Sequence, residues 1–525
     1  MAPEKLQVLH ALDVAETQRY HFRAVLIAGT GFFADAYDLF CITLVTKLLG
    51  RIYYHDAPGD PGRLPLRLEA AIAGVTFCGA IAGQLLFGWL GDRAGRKRFY
   101  GATVLLMAAG SFLSGLSFGN STGGVIATLC FFRFWLGVGI GGDYPLSATI
   151  VAEYASKRAR GGLVAAVFAM EGFGVLAGCV VTLAVSATLQ ARSAGPALPE
   201  ADYAWRVVLM AGAVPACLTY HWRMRMPETA RYTALVAGDA AKAARDMSRV
   251  LQVDDVAADG TTMGGGRDKD YYGVLSRRFA RRHGVHLVGA TACWFMLGAV
   301  VYSHTILQEV VFRDARWVPK ARDMSALEEA YRIGRAHAIM ALCGALPGYW
   351  LAIALVDVVG RKPIQLLGFA MMMGFTLAIA ALYDGLTSPG RRPWLVAMCA
   401  FTFFFASFGP ATTTFVVAAE IFPAHLRATC HGLAAAAGKV GAIAGTFGFM
   451  YAARRADDGG SEETSGIGVR ASLFVLGAAN VLGMLFTCLL PEPKGRSLEE
   501  VSCHGAELLL DRDDADVGDS QVLPL

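Results

Sequence analysis

Asp35, Asp38, Arg133, Asp143, Glu171, His304 and Lys439 all stand inside long apolar runs of this chain. A charge in hydrocarbon costs about 2.5–3.5 kcal/mol on insertion scales, so such groups face a protein interior or an aqueous pathway. Their types suggest a chemistry. Four carboxylates can take up and release protons, and a lysine with an arginine can hold an anion. Asp35 and Asp38 are three apart and share one helix face. Asp143 lies in IGGDYPLSATI, where a Gly-Gly pair and Pro145 loosen a helix. Taken singly, each residue fits a structural ion pair inside a bundle; taken together, they describe a proton relay beside an anion site.

The elements that must position them are apolar stretches of about 20 residues, long enough to cross a bilayer core. They run near 24–46, 68–91, 99–118, 124–150, 162–187 and 205–225, then near 285–309, 337–357, 363–383, 394–418, 431–452 and 470–490. The composition agrees: 55% of residues are hydrophobic and only 17% charged, against roughly 25% charged in soluble domains, and mean hydropathy is +0.44. Sixty glycines suit close helix packing in lipid. The expected class is an all-α membrane protein with the bilayer as its partner. The net charge of +4 is spread over loops, which gives no nucleic-acid patch. Nine of the cysteines, Cys41, Cys78, Cys130, Cys179, Cys217, Cys293, Cys343, Cys399 and Cys488, lie in apolar runs without metal or redox spacing, and read as small hydrophobes. No nucleophile–base arrangement, phosphate-cradling glycine loop or metal cluster argues for an enzyme, a cofactor or a metal. The first twenty residues lack an apolar core before a cleavage site, so the first apolar run is expected to serve as a retained insertion signal.

The chain repeats itself. Asp92 opens DRAGRK and Asp357 opens DVVGRK; Glu153 precedes Arg160 by seven residues and Glu420 precedes Arg427 by seven; Pro227-Glu228 matches Pro491-Glu492. Each pair is 264 to 267 positions apart, the mark of two parallel halves related about an axis along the membrane normal. The expected units are 1–226, a six-helix half; 227–283, a cytoplasmic linker containing Arg277, Arg278, Arg281 and Arg282; 284–490, a second six-helix half; and 491–525, a cytoplasmic tail. Basic loops with Arg93, Arg96, Lys97, Arg98, Lys157, Arg158, Arg160, Arg361 and Lys362 fall on one side, which the positive-inside rule assigns to the cytoplasm together with both termini. In the paired loops glycine permits a tight turn, while Asp92, Arg96, Lys97, Asp357, Arg361 and Lys362, with Glu153, Arg160, Glu420 and Arg427, are placed to bridge helix ends when that side is shut. A plain topology-setting loop is the blander alternative.

The stretches GGDYPLSATI, FFADAYDLFCI, CFFRFWLG, MPETARYTALV, RRHGVHLVG and EIFPAHLRATCHG resemble the plant and fungal high-affinity proton–phosphate symporters of the major facilitator superfamily, from about residue 10 to about 500. The resemblance implies the major facilitator fold with twelve transmembrane helices, and uptake of inorganic phosphate with protons across the plasma membrane. By matching position it implies a proton-coupling role for Asp35, Asp38 and Asp143, phosphate hydrogen bonds from Tyr144, Trp294 and Tyr302, and Lys439 as the cationic partner. Four places depart from the family pattern: Glu171 replaces a glutamine, Gly298 an aspartate, Ala411 an asparagine, and His304-Thr305 a Gln-Asn pair. Losing the carboxylate at 298 removes an expected partner of Lys439, and an isolated buried ammonium is strongly disfavoured. Glu171 could supply that charge from across the cavity or, when protonated, hydrogen-bond an anion as glutamine would. The departures leave two other expectations open: a transporter of another oxyanion, organic anion or sugar, or a transport-weak phosphate-sensing paralogue.

Overall fold

The computed structural model describes residues 13, 19–55, 62, 64–192, 198–239, 242–243, 245, 272–319, 324–388, 390–452 and 467–502. Among these residues, twelve long helices occupy the twelve apolar stretches. The first six are α1 Arg19–Tyr53, α2 Leu66–Ala94, α3 Arg96–Gly115, α4 Thr122–Tyr154, α5 Arg160–Arg192, and α6, split at Gly212 into Leu198–Ala211 and Ala213–Arg225. The second six are α7 Arg277–Asp314, α8 Ala326–Val359, α9 Arg361–Leu386, α10 Arg392–Glu420, α11 Arg427–Ala452 and α12 Gly468–Thr487. Ten are long and apolar enough to cross a membrane on their own. The basic first turn of α3 and the break in α6 hold those two back.

Several helices outrun their apolar cores. α8 begins eleven residues before the stretch that marks it, because its first turns are amphipathic and apolar counting misses them. Two helices widen where they meet the interior. α8 contains a π-turn at Ala341–Ala345 and α10 one at Ser407–Ala411, where Gly409 leaves helical geometry beside Pro410. Such bulges free backbone groups and often sit at functional sites.

The paired turns between α2 and α3 and between α8 and α9 use the repeated glycine as expected. Gly95 has φ +100° and Gly360 φ +110°, a region in which a Cβ is strained. Both fall in the repeated Asp-x-x-Gly-Arg-Lys loops.

The halves meet along α2–α11 and α5–α8. Residues 491–502, counted with the tail in the sequence reading, pack onto the body: Leu498 and Ser497 are buried, and Arg231 pairs with Glu499. Residues 227–239 dock at the same end, while 277–283 form the start of α7. Most of the expected linker, 246–271, and the end of the tail, 503–525, lie outside the described residues.

Candidate functional site

A cavity of about 260 Å³ lies between the halves. Asp35 from α1, Tyr144 from α4 and Glu171 from α5 face Trp294 and Tyr302 from α7, Tyr349 from α8 and Lys439 from α11. The Lys439 ammonium is 3.5 Å from the Tyr302 hydroxyl and 4.0 Å from the Asp35 carboxylate. It also lies over the Tyr144 ring at 5.2 Å and the Phe77 ring at 5.8 Å, so ring faces share its charge. The Tyr144 hydroxyl donates a short hydrogen bond to Glu171. On the side of the basic loops, Phe32, Phe168 and Phe415 cluster with ring centroids 4.9 to 5.9 Å apart, Phe32 meeting Phe415 edge to face.

This geometry corrects the sequence reading at several residues. Lys439 keeps a carboxylate partner, but it is Asp35; Glu171 is bonded to Tyr144 and acts on Lys439 only at longer range. Gly298 is no vacant seat for an aspartate. A Cβ there would fall 2.2 Å from the Gly438 carbonyl oxygen, because α7 and α11 touch at that point. His304 faces away from the cavity, bridging the Val300 carbonyl (2.9 Å) and the Thr376 hydroxyl of α9 (3.0 Å). Thr305 and Ala411 do line the cavity.

Asp38 and Asp143 are buried beside the cavity rather than in its lining. Asp38 accepts from the Ser111 hydroxyl at 3.0 Å, and its backbone carbonyl accepts from Arg133, whose Nε reaches Thr76. Asp143 is clasped by Arg223 of α6, with further bonds from Ser147 and Thr103. Arg223 was missed in the sequence because it closes an apolar run and reads as a flanking charge.

At the end that carries the basic loops, the paired motifs build one network. Arg96 reaches Asp92 at 3.2 Å, Glu153 at 3.1 Å and the Ala424 carbonyl of the other half at 2.6 Å. Arg361 grips Glu420 through two bonds of 2.8 and 3.0 Å and Asp357 at 2.9 Å. Asp92 accepts from the backbone N–H groups of Ala428 and Thr429 at the start of α11, and Asp357 from those of Gly161 and Gly162 at the start of α5. Each aspartate thus holds the first turn of a helix in the opposite half, where the dipole favours a negative charge. Glu153 also takes Arg427 across the seam at 2.9 Å.

The repeat is not followed throughout. Arg160, the counterpart of Arg427, turns to Asp13 and the Arg496 carbonyl instead. Lys362 caps α12 through the Cys488 and Leu490 carbonyls, inside its own half, and Lys97 contributes its backbone N–H to Glu228. Glu228 and Glu492 were not read as site residues, although the repeated Pro-Glu pair was their signal. Glu228 accepts the Lys97 backbone N–H in the first turn of α3, and Glu492 those of Arg361 and Lys362 at the start of α9.

The far end is joined more sparsely. Lys47 of α1 lies 3.1 Å from Glu69 and 3.1 Å from Glu309 of α7. Arg51 pairs with Glu329 of α8 at 2.9 Å and donates to the Met324 carbonyl. Phe40 meets His337 edge to face at 5.0 Å.

The comparisons fit this architecture. The profile of the sugar (and other) transporter family matches residues 24–503. The rice protein named "Probable inorganic phosphate transporter 1-3" (Oryza sativa subsp. japonica) is 58% identical over 518 residues, covering 96% of this chain and 98% of its own. "Inorganic phosphate transporter 1-1" of the same subspecies is 55% identical over 514 residues, covering 96% and 97%. Among solved structures, the proton:xylose symporter XylE bound to a bromodeoxyglucose aligns over 92% of this chain and 98% of its own, with TM-score 0.69 and 21% identity. The inward-open form of XylE from E. coli aligns over 92% and 99%, with TM-score 0.60 and 22% identity. The chain therefore belongs to the sugar (and other) transporter family of the major facilitator superfamily, in the branch of the plant inorganic phosphate transporters.

Proposed function

We propose that this protein carries inorganic phosphate inward across the plasma membrane by symport with protons, its basic end in the cytoplasm. The observation that carries the reading is Lys439. It is a buried cation in the cavity between the halves, with its nearest carboxylate 4.0 Å away and a tyrosine hydroxyl at 3.5 Å. A lysine so loosely neutralised has room for an anion, and the names of the 55–58% identical relatives supply the anion's chemistry. The positive-inside rule gives the orientation.

In this reading Tyr302 and Trp294 donate hydrogen bonds to phosphate, Tyr144 does so by turning its hydroxyl from Glu171, and Lys439 supplies charge. Asp35 shares Lys439, so an arriving anion competes with it for the ammonium. A carboxylate deprived of its cation in a buried site holds a proton more readily, and this couples phosphate binding to proton uptake at Asp35. Asp38 and Asp143 lie in the same half and offer further protonatable positions. More than one is needed: a monoanion entering a cell negative inside works against about 2.3 kcal/mol per charge per 100 mV, and a single proton only cancels its charge. Opening toward the cytoplasm breaks the Glu153–Arg427 and Asp92–α11 contacts; opening outward breaks the Lys47–Glu309 and Arg51–Glu329 bridges.

Radiolabelled phosphate uptake in a transport-deficient cell tests this. Acidifying the medium is expected to raise uptake and a protonophore to abolish it. Phosphate uptake indifferent to both would remove the coupling, and an absence of phosphate uptake would remove the substrate.

A further inference from the structure

One side chain of the cavity wall has no partner of its own. Gln84 of α2 borders the same cavity as Asp35, Tyr144, Trp294 and Lys439. It is fully buried, and neither its amide nitrogen nor its amide oxygen has a hydrogen-bond partner among the described residues. A glutamine amide offers two donors and an acceptor oxygen, and leaving them unmet in a buried place is costly. Its position bears on the transport path. The Gln84 backbone touches α11 at Gly432, where a Cβ would fall 2.3 Å from its carbonyl oxygen. Gly432 lies about two turns from Lys439 toward the gate, and Asp92 closes α2 about two turns further on. Gln84 therefore stands on the seam between the halves, between Lys439 and the gate.

We propose that Gln84 contacts the transported anion and reads its protonation, favouring dihydrogenphosphate over oxyanions without a hydroxyl, such as sulfate. The proposal rests on the reading of Lys439 as the phosphate site. Lys439 and the tyrosine hydroxyls donate to oxygen atoms that phosphate and sulfate both present. Discrimination needs an acceptor for the P–OH group that sulfate lacks. Asp35 has a carboxylate oxygen without a partner, but its charge opposes an anion. A neutral amide accepts from P–OH and donates to P–O at once, without that repulsion. Around a fully buried amide, a site that hydrogen-bonds a substrate hydroxyl rejects the analogue lacking it, because the site's own polar atoms stay unpaired.

The opposite view, that Gln84 only fills space, makes a different prediction. Replacing an unpaired buried amide by an apolar side chain of similar size is then neutral or stabilising and leaves transport alone. Gln84→Leu in the full-length protein separates the two, and Gln84→Met, unbranched and closer in shape, serves if the leucine variant fails to reach the membrane. Melting temperature without ligand, phosphate KM and inhibition by sulfate are measured beside the wild type. The expected variant melts at or above the wild-type temperature, its phosphate KM rises about tenfold or more, and sulfate competes better relative to phosphate. An unchanged KM with wild-type sulfate discrimination overturns the proposal, as does a lowered melting temperature with normal KM. A wild type that carries no phosphate overturns the reading beneath it, and that result shows in the control rather than in the variant.

Discussion

The two ends of the central cavity are closed by different means. At the basic end, Arg96, Arg361 and Arg427 are almost wholly buried and share Glu153, Glu420, Asp92 and Asp357, with backbone N–H groups of the opposite half completing the network. At the far end, Lys47 and Arg51 keep 31% and 18% of their side-chain surface exposed, and among the described residues each bridges one carboxylate of the other half. Buried pairs repay their desolvation only with complete geometry, and removing one partner strands a charge. Pairs that water reaches, as it does these half-buried ones, are worth less because water competes for them. The basic end is therefore a latch that must break as a unit, and the far end a set of contacts that part cheaply.

Substitutions can break this contrast. The largest effect is expected from Glu153→Ala, which leaves Arg96 with Asp92 and the Ala424 carbonyl and takes from Arg427 its paired carboxylate. Removing one member of such a buried set costs about 3–5 kcal/mol, seen as a large fall in the melting temperature of purified protein. A fall no greater than that of a surface variant would mean that the latch is not shut in the resting protein.

Gly298→Asp comes next. Between α7 and α11 there is no space for a Cβ, so the variant is expected to lose about 1–3 kcal/mol to overpacking, and more to a buried charge. It should reach the cell surface poorly. Normal surface levels with normal uptake would mean that the α7–α11 contact is looser during transport than in this structure.

Lys47→Met at the far end is expected to cost at most about 1 kcal/mol while raising the accessibility of Phe40 and Thr43 to aqueous labels after cysteine substitution. Unchanged labelling would deny Lys47 a gating role.

The smallest effect concerns the docked segment 491–502. Burial alone pushes the Glu499 carboxyl up, but Arg231 beside it more than offsets this and holds it below the ordinary glutamate value. A depressed carboxylate contributes stability above its unfolded pKa of about 4.3, and that stability is lost as pH falls through the folded value. Melting curves of wild type and Glu499→Gln should therefore differ at pH 5–8 by a constant small amount and converge in stronger acid. Convergence at neutral pH would exclude the pair as a stabilising contact.

The same contrast decides what could be read from the sequence. The latch was legible because its residues recur at one offset, and a repeat survives without any knowledge of contacts. Lys439 and Glu171 were legible as charged groups in apolar runs, and Tyr302 only through the family resemblance. Lys47, Arg51, Glu309, Glu329 and Arg223 were not. They sit near the ends of such runs, where flanking charges are ordinary, and their partners come from distant helices. His304 misled for the converse reason: a histidine in an apolar run signals a pathway, but here its own helix satisfies one ring nitrogen and α9 the other. The glycine at 298 read as a lost carboxylate, because composition cannot reveal that two backbones meet there.

Between the two ends stands the central claim, that phosphate and Asp35 share Lys439. Proteoliposomes containing wild type or Asp35→Asn, loaded with phosphate for exchange or driven by an imposed proton gradient, test it directly. Exchange needs the anion site alone, whereas accumulation needs the proton. The account predicts that Asp35→Asn retains labelled-phosphate exchange but no longer accumulates phosphate on the proton gradient. Wild-type accumulation by the asparagine variant would contradict it.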